Sequence, residues 1–162
     1  FCTARRSGLR VAAHCGEVHH PDDMAAILAF RPDRLGHALI LSDDDTARLR
    51  AAPIPIELCP TSNMKTLKLW SLNAHPTMAL WLQTGYPISI STDDSSVFDT
   101  TPSRELFITA VANDLTAEQV VQLAAAPLAH AFLPGDVARK LQEQFTAAAS
   151  RALVQYHNRG AS

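Results

Sequence analysis

A fourfold alternation constrains this chain more than any other feature. Short apolar runs begin near Leu9, Arg34, Ile54 and Ile88, and each is followed by residues with helical spacing. Strand followed by helix, repeated at this interval, argues for an α/β fold of parallel strands, because parallel neighbours need a crossover connection. In such folds chemistry gathers at the carboxyl ends of the strands. His14 and Glu17 follow the first run, His37 ends the second, Asn63 follows the third, and Asp93 and Asp94 follow the fourth. Beyond Asp94 the pattern is helical only.

Local signals place the elements. Arg5-Arg6-Ser7-Gly8 reads as the last turn of a helix, with cations at its negative end and glycine at its stop. Leu9 to Ala13 reads as a strand leading into His14. A helix is expected from Pro21, with Met24, Ile27 and Leu28 inward, and Ser42 is expected to cap a helix carrying Leu49. Pro53 to Cys59 reads as a strand whose two prolines weaken its first half. Pro60 to Asn63 reads as a loop, and the next helix runs from near Met78 to Gly85. The spacing predicts a helix over 102–113 that buries Leu106, Phe107, Ala110 and Val111. A capping box at Thr116–Gln119 opens another helix, which Pro127 is expected to end. A long helix from Pro134 is expected to bury Leu141, Phe145, Ala148, Ala152 and Tyr156.

Composition removes several function classes. With 162 residues, net charge −2 and 47% hydrophobic residues, the chain reads as one globular domain without a footprint for nucleic acid or anionic membrane. No apolar run approaches the roughly 20 residues that span a bilayer. Cys2, Cys15 and Cys59 are an odd set without CxxC spacing, which argues against a disulfide framework and fits a reducing, cytoplasmic compartment. The chain opens Phe1-Cys2-Thr3 without an initiator Met, inside what reads as a helix, so a fragment is expected.

Each polar residue also has a plain structural reading. Asp93-Asp94 can be a solvated turn or a helix cap, His14 can cap its loop, and His37 can be a hydrogen-bonded core histidine. Thr61, Ser62 and Asn63 can contact sugar or phosphate, or simply form a turn. Cys15 and Cys59 read as buried packing residues.

The conjunction is more specific than its parts. His14-Cys15-Gly16-Glu17, Arg34-Leu35-Gly36-His37-Ala38, Glu57-Leu58-Cys59-Pro60-Thr61-Ser62-Asn63 and Ser91-Thr92-Asp93-Asp94 occur in this order. Together they resemble the second half of the adenosine/AMP deaminase branch of metal-dependent hydrolases. Cys59-Pro60-Thr61-Ser62-Asn63 is more similar to the adenosine deaminase-like, N6-methyl-AMP deaminase group than to adenosine deaminase proper. The resemblance implies the second half of a (β/α)8 barrel, strands five to eight with C-terminal helices, so residues 1–162 form a single partial domain. It implies one zinc ion per complete site, with His14 and Asp93 as ligands. It implies Glu17 as the acid that protonates purine N1 and His37 as the residue that orients the attacking water and handles its proton. Asp94, with a hydrogen bond at purine N7, Gly16 and Asn63 become substrate contacts. The implied substrate is a purine nucleoside or its monophosphate, the reaction a hydrolytic deamination, and the full-length protein a monomer.

One departure bears on activity. The family takes two more ligands from a His-x-His, whereas this chain has only the adjacent His19-His20. Zinc sites usually have at least three protein ligands, so the chain alone is expected to be inactive. The alternative reading is a catalytically dead half-barrel that serves as a dimerisation or partner-binding module. Another amidohydrolase is a weaker alternative, because no lysine is placed to bridge two metals. Nucleic-acid cytidine-type zinc deaminases are excluded by spacing, since they need His-x-Glu and Pro-Cys-x-x-Cys.

Overall fold

The apolar runs form four parallel strands, β1 (Ala12–Cys15), β2 (Arg34–His37), β3 (Ile56–Leu58) and β4 (Ile88–Ile90), paired in chain order. The structure is a computed structural model and describes residues 1–160. Each strand lies beside its successor, with no reversal of order. That is how a (β/α)8 barrel grows, and it differs from a doubly wound sheet, where the order switches.

Register divides the sheet into two faces. Ala13 pairs with Leu35, Leu35 with Ile56, and Ile56 with Ile88, so one buried apolar row crosses all four strands. The next row on the other face is His14, Gly36, Glu57 and Ser89. A short helix, α1 (Cys2–Arg6), opens the chain, and the apolar face of the sheet packs against the crossover helices α2 (Pro21–Phe30), α3 (Asp43–Ala51) and α5 (Met78–Thr84), which insert Met24, Leu28, Leu49, Met78 and Trp81. On the polar face Ala12 and His14 are exposed, and Arg34 pairs with Glu57 at 2.6 Å.

Caps set the helix ends as the sequence predicts. Ser42 Oγ accepts from Asp45 N–H while Asp45 reaches back to Ser42 N–H, and Gly85 closes α5 at φ 64°. The prolines flanking Ile54 do shorten β3. The Tyr86 hydroxyl compensates, accepting from Ile54 N–H at 3.1 Å and donating to Ile54 O at 2.9 Å.

Several expectations are corrected. The first strand begins at Ala12, because Leu9 follows the left-handed Gly8 turn and stays exposed. Pro60 to Asn63 is the start of a helix, α4 (Pro60–Thr66), with Pro60 at a first-turn position where no amide donor is needed. Helix α8 (Ala117–His130) runs through Pro127, which lacks the amide hydrogen that would bond the Leu123 carbonyl but does not end the helix. Helix α7 (Pro102–Ala112) buries Glu105 and Thr109, leaving Phe107 and Val111 exposed. On α9 (Gly135–Gly160) Leu141, Ala148, Ala152 and Tyr156 are exposed and Phe145 is half-buried, because among the described residues α9 packs chiefly along α8. No helix among the described residues is long and apolar enough to cross a membrane.

Candidate metal and catalytic site

His14 sits near the end of β1 and projects from the polar face of the sheet. Its ring has room because its neighbour across the ladder is Gly36. A Cβ at position 36 would lie 2.5 Å from His14 Cδ2. His37, the last residue of β2, meets His14 edge-on with ring centroids 4.6 Å apart. His37 Nε2 lies 3.2 Å from His14 Nδ1 and 3.6 Å from Glu17 Oε2.

The backbone is strained to achieve this. His37 and Ala38 adopt φ 64° and 48°, and Asp93 adopts φ 61°. Such left-handed conformations cost of order 1–3 kcal/mol for residues other than glycine and cluster at functional sites. Gly16, at φ 69°, turns the chain from β1 toward Glu17; a Cβ there would approach Leu39 N to 3.1 Å. That turn is why glycine stands between the histidine and the acid.

His37 is fully buried, and burial pushes its pKa below the usual histidine range. The Glu17 and Asp93 carboxylates oppose that shift, and His14 adds to it. His37 is therefore neutral near pH 7, and its approach to Glu17 is a polar contact, not an ion pair.

The fourth strand delivers two carboxylates with different surroundings. Asp93 Oδ2 accepts from Ser62 Oγ at 2.7 Å. Asp94 caps α6 (Ser95–Phe98), its Oδ1 accepting from Ser96 N–H and Val97 N–H at 3.0 and 2.9 Å. Asp94 thus carries the helix-capping role that its position after a strand allows.

The donor atoms of His14, Glu17 and His37 all lie within 4.8 Å of one another. Imidazole and carboxylate at this spacing are the donors zinc takes, so the residues present fit part of a metal site. Asp93 stands outside that tight group, though its charge reaches His37.

Behind His37 lies a buried polar chain. Asn63 Nδ2 approaches His37 Nδ1 at 3.0 Å, and His75 Nε2 approaches Asn63 Oδ1 at 3.2 Å. Asn63 has no exposed surface. Its side chain is engaged by His37, His75 and the Cys59 amide, so its place is behind the site.

With that geometry in view, the sequence profile of adenosine deaminase matches residues 1–148. The chain belongs to the adenosine deaminase family. It is 36% identical over 129 residues to an adenosine deaminase-like protein of Drosophila pseudoobscura pseudoobscura, covering 80% of this chain and 38% of that protein. It is 33% identical over 145 residues to the N6-mAMP deaminase of Arabidopsis thaliana, covering 90% and 41%. The crystal structure of Arabidopsis ADAL complexed with IMP superposes with a TM-score of 0.88 at 31% identity, over 93% of this chain and 44% of that one. The chain therefore spans about two fifths of the length of the curated relatives it matches.

Two features of this adenosine deaminase-family chain escape a reading of its sequence. His75 looks like a linker residue beside Pro76, and only the fold shows it buried against Asn63. Glu105 is fully buried and accepts from Thr61 N–H, Thr61 Oγ1 and Thr100 Oγ1, tying α7 to the start of α4. The three cysteines are free, and burial pushes the Cys15 and Cys59 thiols up to about 12, so neither serves as a nucleophile.

Proposed function

We propose that this chain carries the second half of the active site of a zinc-dependent aminohydrolase acting at C6 of a 6-aminopurine nucleoside monophosphate. The convergence of His14, Glu17 and His37 at the carboxyl end of a parallel sheet supports this most directly. The N6-mAMP deaminase name of a relative and the IMP in a solved neighbour favour a monophosphate over a nucleoside. IMP is a 6-oxopurine, which is what such a reaction leaves.

His14 and Asp93 would hold the zinc, with the remaining ligands supplied from outside this chain. When bound, zinc supplies a Lewis acid that lowers the pKa of a water toward about 7. Glu17 holds a proton for purine N1, which makes C6 electrophilic. His37 orients the water through its Nε2 side. The water oxygen bonds to C6 and the C6–N bond breaks; one water proton leaves with the ammonia or methylamine, and the other restores the proton that Glu17 gave to N1. Asp94 and Gly16 are assigned to the purine edge. The free thiols suit a reducing, cytoplasmic setting, and the full-length protein is taken as a monomer.

A chimera tests this reading: the chain replaces the matching segment of the Arabidopsis N6-mAMP deaminase and is assayed with N6-methyl-AMP, AMP and adenosine. Amine release that a chelator abolishes is expected, fastest with a monophosphate. A chimera that folds and holds zinc yet releases no amine from any of the three overturns the reading. The chain alone has no His-x-His. It is expected to bind zinc weakly and turn over none of these substrates, checked by calorimetry and the same assay.

A further inference from the structure

We infer that Asn63 and His75 are positioning residues that lock His37 as its Nε2–H tautomer and aim that N–H toward His14 and Glu17. Backbone amides fix the direction of the whole chain. Thr77 N–H and Met78 N–H lie 3.3 and 3.1 Å from His75 Nδ1. A backbone amide can only donate, so Nδ1 is the bare nitrogen and the neutral ring carries its proton on Nε2. Burial holds that ring neutral, with its pKa lowered to about 4.

His75 Nε2–H then donates to Asn63 Oδ1 at 3.2 Å. The same oxygen accepts from Cys59 N–H at 3.1 Å, a second donor that cannot reverse. These two donors forbid the flipped amide, so Asn63 turns its NH2 to His37 Nδ1 at 3.0 Å. With Nδ1 accepting, neutral His37 must keep its proton on Nε2, the atom 3.2 Å from His14 Nδ1. The members of this chain are buried apart from its far end at His14, so water does not compete to scramble it.

The inference deepens the proposed function and rests on it for its consequence. A water at this mouth meets His37 through a fixed N–H donor. The tautomer itself can be measured without metal or substrate, so it is decided whether or not the deaminase reading stands.

Asn63→Asp is the decisive variant. It keeps an acceptor for Cys59 and His75 but turns the group facing His37 from donor to acceptor. Long-range 1H–15N spectra of the full chain are expected to show His37 bare at Nδ1 and protonated at Nε2. In Asn63→Asp the proton should move to Nδ1. Asn63→Ala, which offers neither donor nor acceptor, should give both tautomers and serves if the Asp variant does not fold. His75→Phe, which removes the donor to Asn63, should also give both. In the chimera Asn63→Asp should lower kcat about 10- to 100-fold with KM little changed. A His37 proton on Nδ1 in the unsubstituted chain, or an unchanged tautomer in the folded Asn63 variants, overturns the inference. An unchanged tautomer in His75→Phe overturns the part assigned to His75.

Discussion

Glu17 and Asp93 are carboxylates at one mouth of the sheet, and their surroundings suit them to different work. Glu17 is half-buried beside a neutral His37, whereas Asp93 is exposed and steadied by Ser62. In the chimera, Glu17→Gln keeps the size of the side chain but cannot deliver a proton to a ring nitrogen. A positioned acid is typically worth about 10² to 10⁴ in rate, so kcat should fall by that order while zinc content holds. Asp93→Asn should do the reverse and lose metal. Glu17→Gln with stripped zinc, or with more than about a tenth of the original kcat, refutes the division of roles. Gly36 offers a second test, since its missing Cβ is the space that His14 occupies. Because the His14 ring is exposed, Gly36→Ala should swing it outward, with a stability change under about 1 kcal/mol. Zinc affinity in the chimera should drop about tenfold or more, because the proposed ligand His14 is no longer held. Unchanged metal affinity would show that Gly36 sets nothing at the site.

At the scale of elements, the sharpest contrast is between ends and faces. Where a cap is present the helix end was legible, because caps are local: Ser42, Gly85 and Thr116 act within four residues of the groups they satisfy. Faces were not. An apolar stripe says that a face can be buried, but what covers it is a tertiary matter. On α7 the stripe through Phe107 and Val111 is exposed, while Glu105 and Thr109 are fully buried. The reason lies some forty residues away in the chain, where α4 begins with amides that need an acceptor and Glu105 supplies it. Removing it should be costly. Glu105→Ala leaves the Thr61 amide and the Thr61 and Thr100 hydroxyls without their acceptor, at about 1–3 kcal/mol for each buried unsatisfied group. A loss of about 3 kcal/mol or more in urea unfolding is expected, and a clearly smaller one for Glu105→Gln, which keeps an acceptor oxygen. Equal losses in the two variants would mean that packing, not hydrogen bonding, holds α7 on α4. The site divides in the same way. His14, Glu17, His37 and Asp93 could be read from strand ends, because a parallel sheet places them by topology. His75 could not, since its partner Asn63 belongs to a separate turn of chain.

At the scale of the whole molecule, the buried histidines make stability depend on pH in a stated direction. Burial lowers the His75 pKa from 6.5 to about 4 and lowers His37 in the same sense. The folded state therefore binds fewer protons than the unfolded state across that interval, so stability rises with pH there. Read downward, the contribution is fully present above pH 6.5 and is lost as pH falls toward about 4. For His75 the loss is on the order of 3 kcal/mol, taking about 1.4 kcal/mol per pKa unit. Carboxylates act in a lower window. Asp33 and Glu118 have depressed pKa values from 3.8 and 4.5, so their contribution is present above those values and lost only below them. Urea unfolding at pH 7.5, 6.5, 5.5 and 4.5 separates the two. The midpoint should begin to fall near pH 6.5, before either carboxylate responds. His75→Phe should be less stable at pH 7.5, because Asn63, Thr77 and Met78 lose a partner. It should also fall less steeply between pH 6.5 and 4.5, because one proton-linked group is gone. A midpoint that stays level from pH 7.5 to 5, or a His75→Phe slope equal to that of the unsubstituted chain, would show that His75 is not held neutral by the fold.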